Sequence, residues 1–203
     1  MSDFLTDEEK AEQIKAWLKE NGMSVFVGIA IAVGGLFGYR YWQDYKLQTA
    51  EEASAIYSQV QQSHDDTIYS KVAQLKTDYA STPYAALASM IAAKNYAEKG
   101  DNDKAITELQ WVIENASEKV TLDLAKIRLA RLYIAQKQFD KASSILNETF
   151  PKSYLSIIEE LKGDIHLAKN EKDKAKEAYD KALLSSQGAP SSFLQMKRDD
   201  LGT

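Results

Sequence analysis

Apolar residues in this chain follow two patterns. From Asn21 to Tyr39, nineteen consecutive residues carry no formal charge, whereas from Gln43 onward apolar positions return every three or four residues among charged ones. The first pattern predicts a transmembrane helix over 23–42, because a helix of that length rises about 1.5 Å per residue and spans roughly 30 Å, the thickness of a bilayer's hydrocarbon core. The second predicts amphipathic helices, since alternating strand patterns and hairpin punctuation by glycine and proline are nearly absent. The expected fold class is therefore all-α: a single N-terminal transmembrane helix over 23–42, followed by an array of soluble helices over 43–203.

The span does not read as a cleaved signal. Asp3, Asp7, Glu8, Glu9, Glu12 and Glu20 precede it against Lys10, Lys15 and Lys19, whereas signal sequences open on a short basic region. Behind it come Gly38, Tyr39, Arg40, Tyr41 and Trp42, bulky where a cleavage site needs small residues. Tyr39, Tyr41, Trp42 and Tyr45 suit an interfacial aromatic belt on one side of the bilayer, with Trp17 on the other. Three lysines before the span against Arg40 and Lys46 after it leave orientation open, with a mild preference for a cytoplasmic N-terminus. Within the span Ala30, Gly34 and Gly38 recur at four-residue spacing, and Gly28 pairs with Ala32. Small residues so placed allow close approach of a second helix, although glycine is common in membrane helices generally.

Ahead of the span, Thr6 followed by Asp7, Glu8 and Glu9 predicts a capping box. A helix from about Asp7 to Gly22 is expected, with Ile14, Trp17 and Leu18 on one face, and it makes 1–22 an amphipathic segment of its own.

Three later segments share one design. The first holds Ala92, Ala93, Tyr96, Gly100, Ala105 and Leu109; the second Leu129, Ala130, Tyr133, Phe139, Ala142 and Leu146; the third Gly163, Ala175, Tyr179 and Ala182, with His166 where the others carry tyrosine. Ala105 and Ala142 lie 37 residues apart, Ala142 and Ala175 33. This pattern resembles the tetratricopeptide repeat, a helix-turn-helix unit of about 34 residues with small residues at the helix crossing. Helix pairs follow at 85–99 with 102–115, 122–136 with 139–149, and 156–169 with 172–185. A degenerate first unit is read from Ala53, Ile56, Tyr57 and Val60 with Ile68, Val72, Leu75 and Tyr79. Its first helix can continue from the span, and a short terminal helix beginning at Pro190 and Ser191 carries Phe193, Leu194 and Met196 to cover the last repeat.

Catalytic chemistry has few members to draw on. The chain has no cysteine and two histidines. His64 falls in the polar loop 61–66, and His166 at a helix-packing position that suits a satisfied core histidine. Glu159 with Glu160 and Asp199 with Asp200 are sequence neighbours that diverge by about 100° on a helix, so neither makes a carboxylate pair. A net charge of −5 argues against nucleic acid as a partner. No cofactor, metal or enzymatic activity is expected. What remains is a binding surface: in tetratricopeptide arrays the first helix of each pair lines the concave face. That stripe contains Leu87, Met90, Lys94 and Ala97, then Leu124, Ile127, Arg131 and Ile134, then Ile157, Glu160, Asp164 and Leu167. Apolar area in an open groove favours extended or partly unfolded peptide.

Beyond the repeats, the whole chain resembles the YfgM family, the ancillary subunit of the bacterial SecYEG translocon. The likeness rests on Glu20, Asn21 and Gly22 entering the span, Gly38 to Trp42 leaving it, Tyr84 to Ser89, Leu161 to Asp164, and the closing run Gln195 to Leu201. It implies a single-pass inner-membrane protein with a cytoplasmic N-terminus and a periplasmic repeat domain. It further implies association with SecYEG and with the membrane-anchored periplasmic chaperone PpiD, assisting unfolded or nascent periplasmic and outer-membrane proteins. It also allows an alternative role, regulation of an envelope stress response through the cytoplasmic segment.

Overall fold

The computed structural model describes residues 6–63, 65–186 and 192–202; His64, Pro190 and Ser191 lie outside that set. The described residues form nine α-helices and one 3₁₀ turn, without a strand, and the chain divides into two units, 1–51 and 52–203.

Helix α1 runs Asp7–Gln62. Its start is the capping box read from the sequence: the Thr6 backbone N–H donates to Glu9 Oε2 at 2.9 Å, and the Glu9 N–H donates back to Thr6 Oγ1 at 3.4 Å. These bonds hold the Glu9 carboxyl below its ordinary value, the backbone bond from Thr6 contributing most. The expected helix end at Gly22 is not found, and α1 passes through it. Glycine in a helix interior costs only about 1 kcal/mol, and Lys15, Ala16, Leu18, Lys19 and Glu20 before it with Met23 after it are strong helix formers that outweigh it. Between Gly22 and Trp42 the side chains are almost all exposed, and α1 is the one helix among the described residues long and apolar enough to cross a bilayer.

In the unit 52–203, the end of α1 packs with α2 (Thr67–Asp78) and α3 (Pro83–Glu98) around Ala53, Val60, Ile68, Val72, Leu75, Ala85, Ala88 and Ala92. This is the degenerate first unit. Helix α3 then pairs with α4 (Asn102–Asn115), α5 (Lys119–Ala135) with α6 (Phe139–Leu146), and α7 (Leu155–Ala168) with α8 (Lys172–Ser185). Helix α6 is three residues shorter than its expected span to 149, because Pro151 follows and a 3₁₀ turn, Lys152–Tyr154, leads into α7. A central core runs from Ala86 and Met90 through Leu129 and Tyr133 to Ile158 and Ile165. Helix α9 (Ser192–Asp199) closes the array by setting Leu194 against Ala175, Tyr179 and Ala182.

The three clear pairs share one turn. Each first helix ends in a left-handed residue: Gly100 at φ 80°, Lys137 at 59° and Asn170 at 61°. The residue after each donates its N–H back to the carbonyl of Tyr96, Tyr133 and His166 at 2.9, 2.8 and 2.8 Å. This double reversal terminates a helix and starts the next within three residues. It places Tyr96, Tyr133 and His166 at the same position relative to their turns, through main-chain carbonyls. The alanines expected at the crossings, Ala105, Ala142 and Ala175, are all fully buried.

Candidate functional site

The predicted stripe separates into three groups. Met90 and Ile127 are core residues, 6% and 2% exposed, which corrects their expected place in the groove. Residues three and four apart on a helix diverge by tens of degrees, enough to turn Met90 and Ile127 inward while Leu87, Lys94, Leu124 and Arg131 stay outside. Ile134 and Ile157 are half-buried and pack against the same core.

Glu160 and Asp164 are taken by the chain itself, which corrects their expected place as groove lining. Lys197 Nζ of α9 donates to Glu160 Oε1 at 2.8 Å and to Asp164 at 2.8 and 2.9 Å, and the Tyr179 hydroxyl donates to Asp164 Oδ1 at 2.7 Å. Burial pulls Lys197 down, but the hydrogen bonds it donates to Asp164 and Glu160 more than offset it and hold the ammonium above its usual range. Burial and the same aspartate push Tyr179 far up, so it stays neutral. Leu167 remains exposed at the far end of α7.

The third group comes together. A pocket of about 370 Å³ lies between α3 and α5, with Ala93, Ala97, Leu109 and Leu132 as apolar lining and Lys94, Glu98, Arg128 and Arg131 as charged lining. Leu87 and Leu124 stand seven residues before Lys94 and Arg131, two turns along the same faces, 37% and 36% exposed. Of the expected stripe, this surface therefore gathers Leu87, Lys94, Ala97, Leu124 and Arg131. Arg128 and Leu132 were not anticipated. A signal was present for Arg128, which lies three residues before Arg131 and so falls on the same face of α5.

A second cavity, about 500 Å³ between α7 and α8, is different in kind. Its charges are matched internally: Glu159 with Lys162, Glu177 with Lys181, and Glu171 with both His166 and Lys174. His166 is satisfied, as expected, but through Nδ1 lying 2.6 Å from Glu171 across the turn, at the surface rather than in the core. That bond is the main cause holding Glu171 below its ordinary value.

In the span, a Cβ built at Gly28, Gly34 or Gly38 would meet nothing within 4 Å beyond the neighbouring backbone of its own helix, and Ala30 is exposed on the same helix. Packing within the chain therefore does not require small residues there.

A family model described as a tetratricopeptide repeat-like domain matches residues 15–203. The chain belongs to that family. It is 30% identical to a protein of Haemophilus influenzae and 29% identical to one of Escherichia coli K12, each described as an ancillary SecYEG translocon subunit, over 99% of this chain and 100% and 99% of theirs. A Neisseria gonorrhoeae protein of the same description is 25% identical over 99% of this chain and all of its own length. These matches run end to end and so cover the apolar N-terminal helix of this chain as well as its repeats. No solved structure matches.

Proposed function

We propose that the chain is a non-enzymatic adaptor and chaperone of the Sec translocon. Residues 23–42 anchor it in the inner membrane, residues 1–22 lie in the cytoplasm and 43–203 in the periplasm. There it links SecYEG to PpiD and assists newly translocated proteins. The observation that carries this reading is the end-to-end match to ancillary translocon subunits. Two surfaces support it: the small residues of the span, Ala30, Gly34 and Gly38 along one face and Gly28 with Ala32 along another, free to meet a membrane helix, and the exposed surface around Leu87, Leu124 and the pocket between α3 and α5. A regulatory role for 1–20 is supported by Ile14, Trp17 and Leu18, which stand more than half exposed on a capped helix.

Site-specific photo-crosslinking in intact membranes tests the proposal. Probes at Gly34 and Gly38 should capture a translocon subunit, and probes at Leu87 and Leu124 a translocating client or PpiD. Capture from neither surface, with the protein folded and inserted, overturns it.

A further inference from the structure

The pocket between α3 and α5 carries an unmatched charge. Lys94 Nζ lies 3.6 Å from Glu98, so that lining carboxylate already has a partner. Arg128 and Arg131 lie three residues apart on one face of α5, both exposed, and among the described residues neither makes an ion pair or a hydrogen bond within the chain. Elsewhere on this helix Lys126 is paired with Glu148. The two guanidiniums are thus a local positive site on a chain whose net charge is −5. They stand beside a floor of Ala93, Ala97, Leu109 and Leu132, in a volume at the lower end of that of small-ligand pockets.

An aliphatic floor beside two free planar forks selects a specific chemistry. A guanidinium binds a carboxylate through two parallel N–H donors, and its weak hydration lowers the cost of approaching an apolar surface. Two such groups along one edge of the floor match an extended peptide in which an aliphatic side chain enters the pocket and the next residue offers an aspartate or glutamate carboxylate. A purely apolar segment leaves both arginines unanswered, and a basic segment meets repulsion from three cations against Glu98.

We propose that this pocket is an anchor subsite for internal aliphatic-acidic dipeptide segments of extended polypeptide, with Arg128 and Arg131 holding the side-chain carboxylate. The inference rests on the groove reading above and deepens it by naming what the groove prefers.

Fluorescence anisotropy of the full-length chain in detergent tests it with labelled octapeptides blocked at both ends. The central pair is Leu-Asp, Leu-Asn or Ala-Asp, and a fourth peptide carries Leu-Asn with a free C-terminal carboxylate. Leu-Asp should bind at least about tenfold more tightly than either blocked variant. That advantage should vanish in the double variant Arg128→Gln/Arg131→Gln, whose exposed positions leave the melting temperature unchanged, and it should shrink with added salt. Equal binding of Leu-Asp and Leu-Asn overturns the subsite and leaves the groove reading standing. So does an advantage that survives in the double variant, or one shown only by the free C-terminus. Failure of all four peptides to bind overturns both.

Discussion

The ring of Tyr179 occupies the space that any side chain at position 163 would need: a Cβ on Gly163 would lie 2.3 Å from Tyr179 Cε1 and 2.5 Å from Cδ1. Tyr179 is fully buried and its hydroxyl is tied to Asp164, so the ring has no room to retreat. Gly163→Ala should therefore cost about 2 kcal/mol, the overpacking penalty less the roughly 1 kcal/mol that alanine returns to a helix. Chemical denaturation would read it as a lower midpoint. A variant as stable as the parent would mean that α7 and α8 can separate freely.

Lys197 neutralises two carboxylates, Glu160 and Asp164, one helical turn apart. Lys197→Met should leave them facing each other half-buried and loosen α9. A loss of about 1–2 kcal/mol is expected, with faster amide exchange confined to α9 and the end of α8. Adding Glu160→Gln should restore part of the loss, because the repulsion and not the missing methylene contacts dominates.

The left-handed turn residues give a matched pair of tests. Gly100→Ala should destabilise by about 1 kcal/mol although nothing lies within 4 Å of the new Cβ, because the cost is in the backbone at φ 80°. Lys137→Gly should do the reverse and stabilise by up to about 1 kcal/mol, since lysine there already bears that strain. Thermal melts that move in the same direction for both would contradict the turn geometry.

Ile127 and Leu124 separate folding from binding. Ile127→Glu buries a charge in the central core and should unfold the α3 to α7 region, costing more than about 3 kcal/mol. Leu124→Glu, on an exposed position, should change the melting temperature little while abolishing crosslinks from the groove.

Acid sensitivity follows from carboxylates held below their ordinary values. Asp101 is lowered chiefly by its bond to Lys104, and Glu171 chiefly by His166. A depressed carboxyl contributes stability that is complete above its unfolded value, near 4, and is lost as pH falls through the folded value. The melting temperature contributed by these helix starts should thus be flat from neutral pH to about 5 and drop below about 4. Asp101→Asn should flatten part of that fall, and an unchanged profile would exclude the N-terminus of α4 as a contributor.

Much of this architecture was legible in local chemistry. Ala105, Ala142 and Ala175 announced the crossings because only small side chains fit there, and Thr6 with Glu9 announced the capping box because both partners lie within one turn. The failures were of longer range. Met90 and Ile127 share a helical face with exposed residues to within a fraction of a turn, and which of them turns inward depends on how α3 and α5 lean on their neighbours. The engagement of Glu160 and Asp164 by Lys197 joins positions more than thirty residues apart, and no periodicity reports such a pairing. At Gly22, breaker chemistry was outweighed by the run of helix formers that leads into it, Lys15 to Glu20.

The turn inside each clear pair has three residues in every case, 99–101, 136–138 and 169–171, whereas the connectors between pairs run from three residues at 116–118 to eight at 147–154. All tolerance for length is concentrated in those between-pair links. Epitope tags or fluorophore cysteines placed at Ser117 or Lys152 would report on the protein in living cells without altering the repeats, and the same insertion at Gly100 or Lys137 would break the unit that carries it.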